Sequence, residues 1–279
     1  MNKKHWCPTI IKRVEKCDIV SSTSPVIVMT DKGRGYFKAL GNREGPQVLA
    51  CEYVGTSLAC LLEIPTFDYC ILLHNGIPEI RLNDGRIADC GPGFITKEEL
   101  GGVWDGEKKT LEKINNREDI TRLVCLDTWV RNQDRYFPGK KGKSRRNLSN
   151  VFISKTAENH LTLKAFDFTH AFTNARDVTP SIVQDVRDDS VYGLFPEFKD
   201  FLDKETAIQM CDKLKSIKEK KIRPILDQIP KEWEINTTTR EAWITFLLSR
   251  AVFLSENFIS MIGIQHETKQ ELLSFDEEQ

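Results

Sequence analysis

Apolar positions recur along this chain with two periods, and the switch between them divides it. Residues 25–29 are β-branched and apolar, Asp31, Lys32 and Gly33 form a turn, and residues 35–40 resume the run. This pattern predicts a β-hairpin. Over residues 47–64 the period lengthens, with Cys51, Val54, Leu58, Leu61 and Leu62 at three- and four-residue steps. A helix with one apolar face is expected there, ended by Pro65. Residues 69–73 read as another strand. Residues 75–93, rich in Gly, Asn, Asp and Pro, read as turns with a strand at 79–82. Together these make a small α/β lobe.

Beyond Gly101 helix dominates. Ile120, Leu123, Val124 and Leu126 give residues 117–130 a helical face leading into the polar turn Asn132-Gln133-Asp134-Arg135. Short strands are expected at 151–153 and 161–163. Residues 204–229 carry Ile208, Cys211, Leu214 and Ile217 at helical spacing, with a kink at Pro224. Thr238-Thr239-Arg240-Glu241 reads as a capping box ahead of the apolar run 243–261, and the acidic tail 267–279 is expected to fray.

The 279 residues are 40 % hydrophobic and 29 % charged with a net charge of -1, which suits a sizeable core and argues against nucleic acid as a partner. None of the eight cysteines falls in a Cys-x-x-Cys pair, and Cys60 and Cys125 sit among apolar neighbours. Buried, reduced thiols in a cytoplasmic protein are expected. The N-terminus lacks the apolar core of a signal peptide, and no apolar run reaches the roughly 18 residues of a membrane span, so no membrane insertion is expected.

Candidate chemistry lies in the polar residues that punctuate these elements. Asp134, between a helix and a strand, can accept the proton of an attacking hydroxyl. Asn150 precedes one short strand and Asp167 follows the next, offering hard oxygens to Mg2+. Asn147 is the alternative ligand; the apolar run directly after Asn150 favours Asn150. Lys38 closes the hairpin's second strand and Glu52 lies on the next helix, away from its apolar stripe. Such a pair can hold the phosphates of ATP. The loop Ser21-Ser22-Thr23-Ser24 precedes the first hairpin strand; it lacks glycines, and reads either as a phosphate cover built from hydroxyls and N–H groups or as a plain polar loop. The basic run from Lys140 to Arg146 reads as a solvated insertion or as an electropositive lip for an acidic substrate. His170 is expected to be structural.

Lysine, glutamate, aspartate, asparagine and aspartate in this order are the series of protein-kinase-like enzymes. The chain resembles the HipA-like kinase family, and more distantly the phosphatidylinositol 3- and 4-kinases. The resemblance rests on Ser24-Pro25, Gly35-Tyr36-Phe37-Lys38, Ile64-Pro65, Gly91-Pro92-Gly93-Phe94, the stretch from Asp127 to Arg135, Asn150-Val151-Phe152-Ile153 and Phe166-Asp167-Phe168-Thr169-His170-Ala171-Phe172. Ile229-Pro230-Lys231-Glu232-Trp233 and Leu247-Leu248-Ser249-Arg250 extend it.

It implies an α+β, two-lobed protein-kinase-like fold. A small β-rich lobe with one helix would span residues 1–97, and a larger, mainly helical lobe residues 98–279. It implies ATP between the lobes and Mg-dependent phosphorylation of serine or threonine in a protein, sometimes of the enzyme's own phosphate loop. Asp134 would be the base, Asn150 and Asp167 the magnesium ligands, and Lys38 the phosphate-contacting lysine, with Glu52 and the hydroxyls of Ser22, Thr23 and Ser24 completing the ATP site. Thr169 departs from the glycine common in relatives after the metal-binding aspartate, which bears on loop mobility. Neither a toxin role nor an antitoxin partner is carried over. A lipid or small-molecule kinase and a nucleotide-binding pseudokinase are the rival readings.

Overall fold

Val26, Val28 and Phe37 are buried while the strand residues beside them, Ile27, Met29, Tyr36 and Lys38, are only partly so, and this period of two builds the sheet of the N-terminal part. The computed structural model describes residues 6–15, 21–137, 139, 144–173 and 178–264. Strands β1 (Ile11–Glu15), β2 (Val26–Thr30), β3 (Gly33–Leu40), β4 (Tyr69–His74) and β5 (Asp89–Lys97) form an antiparallel sheet in the order β1-β2-β3-β5-β4. The hairpin pairs Val26 with Phe37 and Val28 with Gly35. β5 lies where mostly turns were expected. Gly93 belongs there for a steric reason: a Cβ on it would fall 2.2 Å from the Phe37 ring. At 79–82 the expected strand is reduced to an isolated antiparallel bridge, Arg81 with Ile87, and Leu82 N–H bonds Arg86 O across the turn.

Helix α1 (Gln47–Leu61) packs between this sheet and the helical part, so every residue from Val48 to Ala59 is buried. The one-sided apolar stripe expected of it is therefore a helix buried all round, and Glu52 is inside with the rest. It stops before Pro65, with Glu63 in the left-handed conformation and Ile64 N–H bonded to Ala59 O.

The second part begins with β6 (Gly101–Val103) and the short α2 (Lys108–Leu111), followed by α3 (Glu118–Val130). A two-residue hairpin, β7 (Tyr136–Phe137) with β8 (Arg145–Arg146), precedes strands β9 (Phe152–Lys155) and β10 (Leu161–Lys164). β6 adds to β9 and β10 in a three-stranded antiparallel sheet. Helices α4 (Lys204–Ser216), α5 (Glu219–Asp227) and α6 (Thr237–Met261) complete it. The helix expected over 204–229 is two helices, broken at Ile217 and Lys218, whose backbones are extended, while Pro224 sits inside α5. The capping box is also displaced: Asn236 is the N-cap of α6, its side chain accepting from Thr239 N–H. By length and composition α6 is apolar enough to cross a membrane, which a count of unbroken apolar residues misses. In the fold it packs on α3 and α4 and buries Trp243, Phe246, Leu247, Leu254 and Phe258.

Cys51, Cys125 and Cys211 are buried as expected of core thiols. Cys60, at the end of α1, is exposed despite its apolar neighbours. Cys17, Lys140, Lys141, Lys143 and the acidic tail lie outside the described residues.

A polar knot joins α3 to α6. Arg250 is buried on α6 and donates to the carbonyls of Thr128, Asp185, Val186 and Asp188. Arg131, at the end of α3, pairs with Asp185 and Asp188 at 2.7 and 2.8 Å. Burial alone would raise the Asp188 carboxyl, but Tyr192 OH, Ser190 N–H and Arg131 outweigh it and hold it at about 2. A carboxylate held below its unfolded value of 3.8 stabilises the fold above that pH and stops doing so as pH falls toward 2. Asp188→Asn is expected to lower the unfolding free energy by about 2 kcal/mol at pH 7 and to have little effect near pH 2, compared by urea titration.

Candidate active site

Lys38 is the sixth residue of β3, opposite Phe94 of β5, and its side chain leaves the sheet toward α1. Its Nζ donates to Glu52 Oε1 and lies 3.4 Å from both Asp167 Oδ1 and Thr169 Oγ1. Glu52 is almost fully buried on α1, where an unpaired carboxylate would be costly. Its Oε1 receives Lys38 and lies 2.5 Å from Thr169 Oγ1, while its Oε2 accepts Phe168 N–H at 3.2 Å. Burial works against the Lys38 charge, but Asp167 and Glu52 hold its pKa above the usual lysine range. Burial, with the nearby Asp167, raises Glu52 despite Lys38. Asp167 resists burial and is held well below the carboxylate range, chiefly by Lys38. The lysine is thus a fixed cation between two carboxylates.

Asp134 is placed by a second network at the end of α3. Arg131 turns into the left-handed conformation, and the chain folds back so that Asn132 N–H bonds Asp127 O at 2.8 Å. Asp127 and Arg135 form an ion pair with both side chains 0 % exposed, Nε to Oδ2 at 2.6 Å. Arg135 also donates to Phe166 O at 2.8 Å, and Asn132 donates to Asp167 O at 3.3 Å. The same two residues therefore tie the turn carrying Asp134 to the strand end carrying Asp167. Asp134 points away from that knot, and its Oδ2 accepts from the side-chain amides of Asn150 (2.9 Å) and Asn147 (3.1 Å).

Lys38, Glu52, Asp134, Asn147, Asn150, Asp167 and Thr169 all line one cleft of about 500 Å³, within the usual range for small-molecule sites. Phe67, Phe152 and Phe166, meeting edge to face with centroids 5.0–5.8 Å apart, add aromatic wall to it. Ser22 and Thr23 line the cleft. Ser24 does not: its N–H closes the turn on Ser21 O, its φ is +45°, and its side chain is buried behind the loop. His170, expected to be structural, lines the cleft as well. The donor set fits a hard cation. The Asn150 amide nitrogen is committed to Asp134, which turns its carbonyl oxygen elsewhere, and Asp167 meets Thr169 and Lys38 through Oδ1, leaving Oδ2 as a further donor.

Compared with known proteins, residues 8–255 match the family described as HipA-like kinase. The chain belongs to the HipA-like kinases. Among solved structures, the proinflammatory kinase CtkA of Helicobacter pylori is similar, at 14 % identity and a TM-score of 0.52, covering 91 % of this chain and 96 % of that one. A Golgi casein kinase aligns at 13 % identity and a TM-score of 0.47, over 91 % of this chain and 75 % of its own. Among curated proteins no match is found. The two-lobed kinase-like fold expected from the sequence is the observed one, and the chain is a kinase-type phosphotransferase by family.

Two features of this HipA-like kinase emerge from the fold itself. Thr169, unusual after the aspartate, is no loosened glycine: its Oγ1 lies within hydrogen-bond distance of both Glu52 and Asp167, at 2.5 and 2.9 Å, and fixes the strand end. Phe168 packs on the one residue of α1 that leaves it room. A Cβ on Gly55 would lie 2.3 Å from Phe168 Cγ, and Phe168 is fully buried. Gly55→Ala would otherwise stabilise a helix interior by about 1 kcal/mol. Here it is expected to destabilise by about 1–3 kcal/mol, because Phe168 and the adjoining Asp167 must move. Denaturant unfolding reads the sign directly.

Proposed function

We propose that this chain is an ATP- and magnesium-dependent kinase that transfers the γ-phosphoryl group to serine or threonine hydroxyls of a protein. The observation that carries this reading is the convergence, in one cleft, of a lysine clamped by two carboxylates with a carboxylate clamped by two asparagine amides. The first arrangement suits phosphate oxygens and the second suits a hydroxyl proton. Lys38, held by Glu52, would contact the nucleotide phosphates, with Ser22 and Thr23 covering them and the phenylalanine wall taking the adenine. Asn150 and Asp167 would hold Mg2+, which when bound neutralises charge on the phosphates. Asp134 would orient the acceptor and take its proton. Within this reading the setting is cytoplasmic, supported by free thiols among the described cysteines, and the exposed Ser22 is an acceptor for autophosphorylation.

Incubation with labelled ATP, magnesium and a protein mixture is expected to label protein. Asp134→Ala and Asp167→Ala should each reduce labelling by at least about 10³-fold, in line with the loss of parts that act as a unit. Phosphoamino-acid analysis should return phosphoserine or phosphothreonine. Equal labelling by all three proteins would overturn the site assignment. Nucleotide binding without transfer by the parent would make the chain a pseudokinase, and label only in lipid or small molecules would change the acceptor class.

A further inference from the structure

The transfer proposed above places negative charge between ATP and the acceptor, and Lys38 stands on the nucleotide side of that charge. The acceptor side has a cation of its own. Arg135, next to Asp134 in sequence, is not available: it is fully buried against Asp127 and the Phe166 carbonyl. Arg145 instead lies on β8, paired with Phe137 of β7, and reaches the turn. There Arg145 Nη2 donates to Gln133 O at 3.0 Å and lies 3.7 Å from Asp134 Oδ1.

The base of this hairpin is docked rather than loose. Tyr136 pairs with Arg146 and Phe137 with Arg145. Gly193 N–H bonds Tyr136 O at 3.0 Å, and Phe137 stacks on Tyr192 with centroids 5.6 Å apart. Arg146 pairs with Glu197 at 2.8 Å and lies over the Phe195 ring, while Asn147 N–H bonds Arg135 O. A second cavity of about 330 Å³ adjoins Asp134, lined by Ser22, Glu44, Gln133, Arg145, His170 and Thr173. Among the described residues lining this cavity and the main cleft, Lys38 and Arg145 carry the permanent positive charges.

The hydrogen bonds of Asp134 say which of its oxygens does the work. Oδ2 is occupied by the amides of Asn147 and Asn150, so an acceptor proton is taken on Oδ1, the oxygen beside Arg145. The attacking oxygen, and the phosphorus it bonds to, therefore pass next to this guanidinium. It has five N–H donors, one of them held by Gln133 O.

We infer that Arg145, delivered by the β7–β8 hairpin, is a catalytic residue that binds the transferring phosphoryl group from the acceptor side. In that step the bond from phosphorus to the β,γ-bridging oxygen breaks and leaves ADP. The acceptor oxygen forms the new bond to phosphorus, and its proton passes to Asp134. The guanidinium binds the equatorial phosphoryl oxygens as charge spreads over them, the role an arginine supplied in cis plays in phosphoryl transfer. This inference rests on the proposed kinase reading.

The test uses the full chain, Arg145→Ala and Arg145→Lys, with fluorescent ADP and magnesium, with and without aluminium fluoride, a planar mimic of the phosphoryl group in transit. The parent is expected to bind the fluoride complex at least about tenfold more tightly than ADP with magnesium. Arg145→Ala should lose that gain while keeping the affinity for ADP itself, and Arg145→Lys should keep part of it. In turnover, Arg145→Ala should lower kcat by about 10²-fold or more with the KM for ATP unchanged. An undiminished fluoride gain in Arg145→Ala overturns the inference and leaves the kinase reading standing. A raised acceptor KM with unchanged kcat also overturns it, and makes Arg145 a docking residue for an acidic acceptor. A parent that neither binds ADP with magnesium nor transfers phosphate overturns the kinase reading, and this inference with it.

Discussion

A lysine taken out of water must keep its charge or lose it, and which happens depends on what stands beside it. Lys38 keeps its charge because Glu52 and Asp167 come to it from two different elements, one from α1 and one from the end of β10. Buried ion pairs contribute little net stability, since desolvation offsets most of the attraction, but leaving one member unpaired costs several kcal/mol. The cluster therefore works less as glue than as a register pin. It penalises any packing of α1 on the helical part that separates its members. Thr169 adds a hydroxyl to the junction of the two carboxylates, and Phe168 fills the notch at Gly55, so that apolar packing and polar pairing demand the same placement of Asp167.

The second pin, Asp127 with Arg135, is buried still deeper and does for Asp134 what the first does for Asp167. Because Arg135 and Asn132 also grip the backbone at Phe166 and Asp167, the proposed base and the proposed metal ligand are set by one hydrogen-bonded unit rather than by two independent loops. A transfer reaction that leaves little covalent work to the protein depends on such placement. The Asp127–Arg135 pair achieves this without touching substrate itself.

The sequence made the parts with strong local periodicity visible. The hairpin of β2 and β3, helix α3 and the apolar body of α6 all follow from spacing alone. What it hid had physical causes. β5 contains Gly91, Pro92 and Gly93, which read as turn, yet a Cβ on Gly93 would meet the Phe37 ring and one on Gly91 the Leu40 side chain. β6 is Gly-Gly-Val, with no pattern to read, and exists because β9 offers it an edge. The break between α4 and α5 falls at Ile217 and Lys218, where no proline or glycine marks it. At the site, Lys38, Asp134, Asn150 and Asp167 stood out because each was polar at the boundary of an apolar run, and Glu52 because it lay off the apolar stripe of its helix. Thr169 reads only as a departure from glycine and Arg145 only as part of a basic stretch, since a hydroxyl after an aspartate and an arginine in such a stretch have many uses. Their positions follow only from tertiary folding, and the exclusion of Ser24 from the cleft likewise follows from the closure of its turn.

The direct test of the ion cluster as the organiser of the site is a double-mutant cycle on ATP affinity in the presence of magnesium, with Lys38→Met, Glu52→Gln and the double variant, measured by titration calorimetry. If Glu52 acts by holding Lys38 at the phosphates, the two losses overlap, and the double variant binds ATP about as weakly as Lys38→Met, with a coupling on the order of 1–2 kcal/mol. Losses that simply add, or single variants that bind ATP as tightly as the parent, would contradict it.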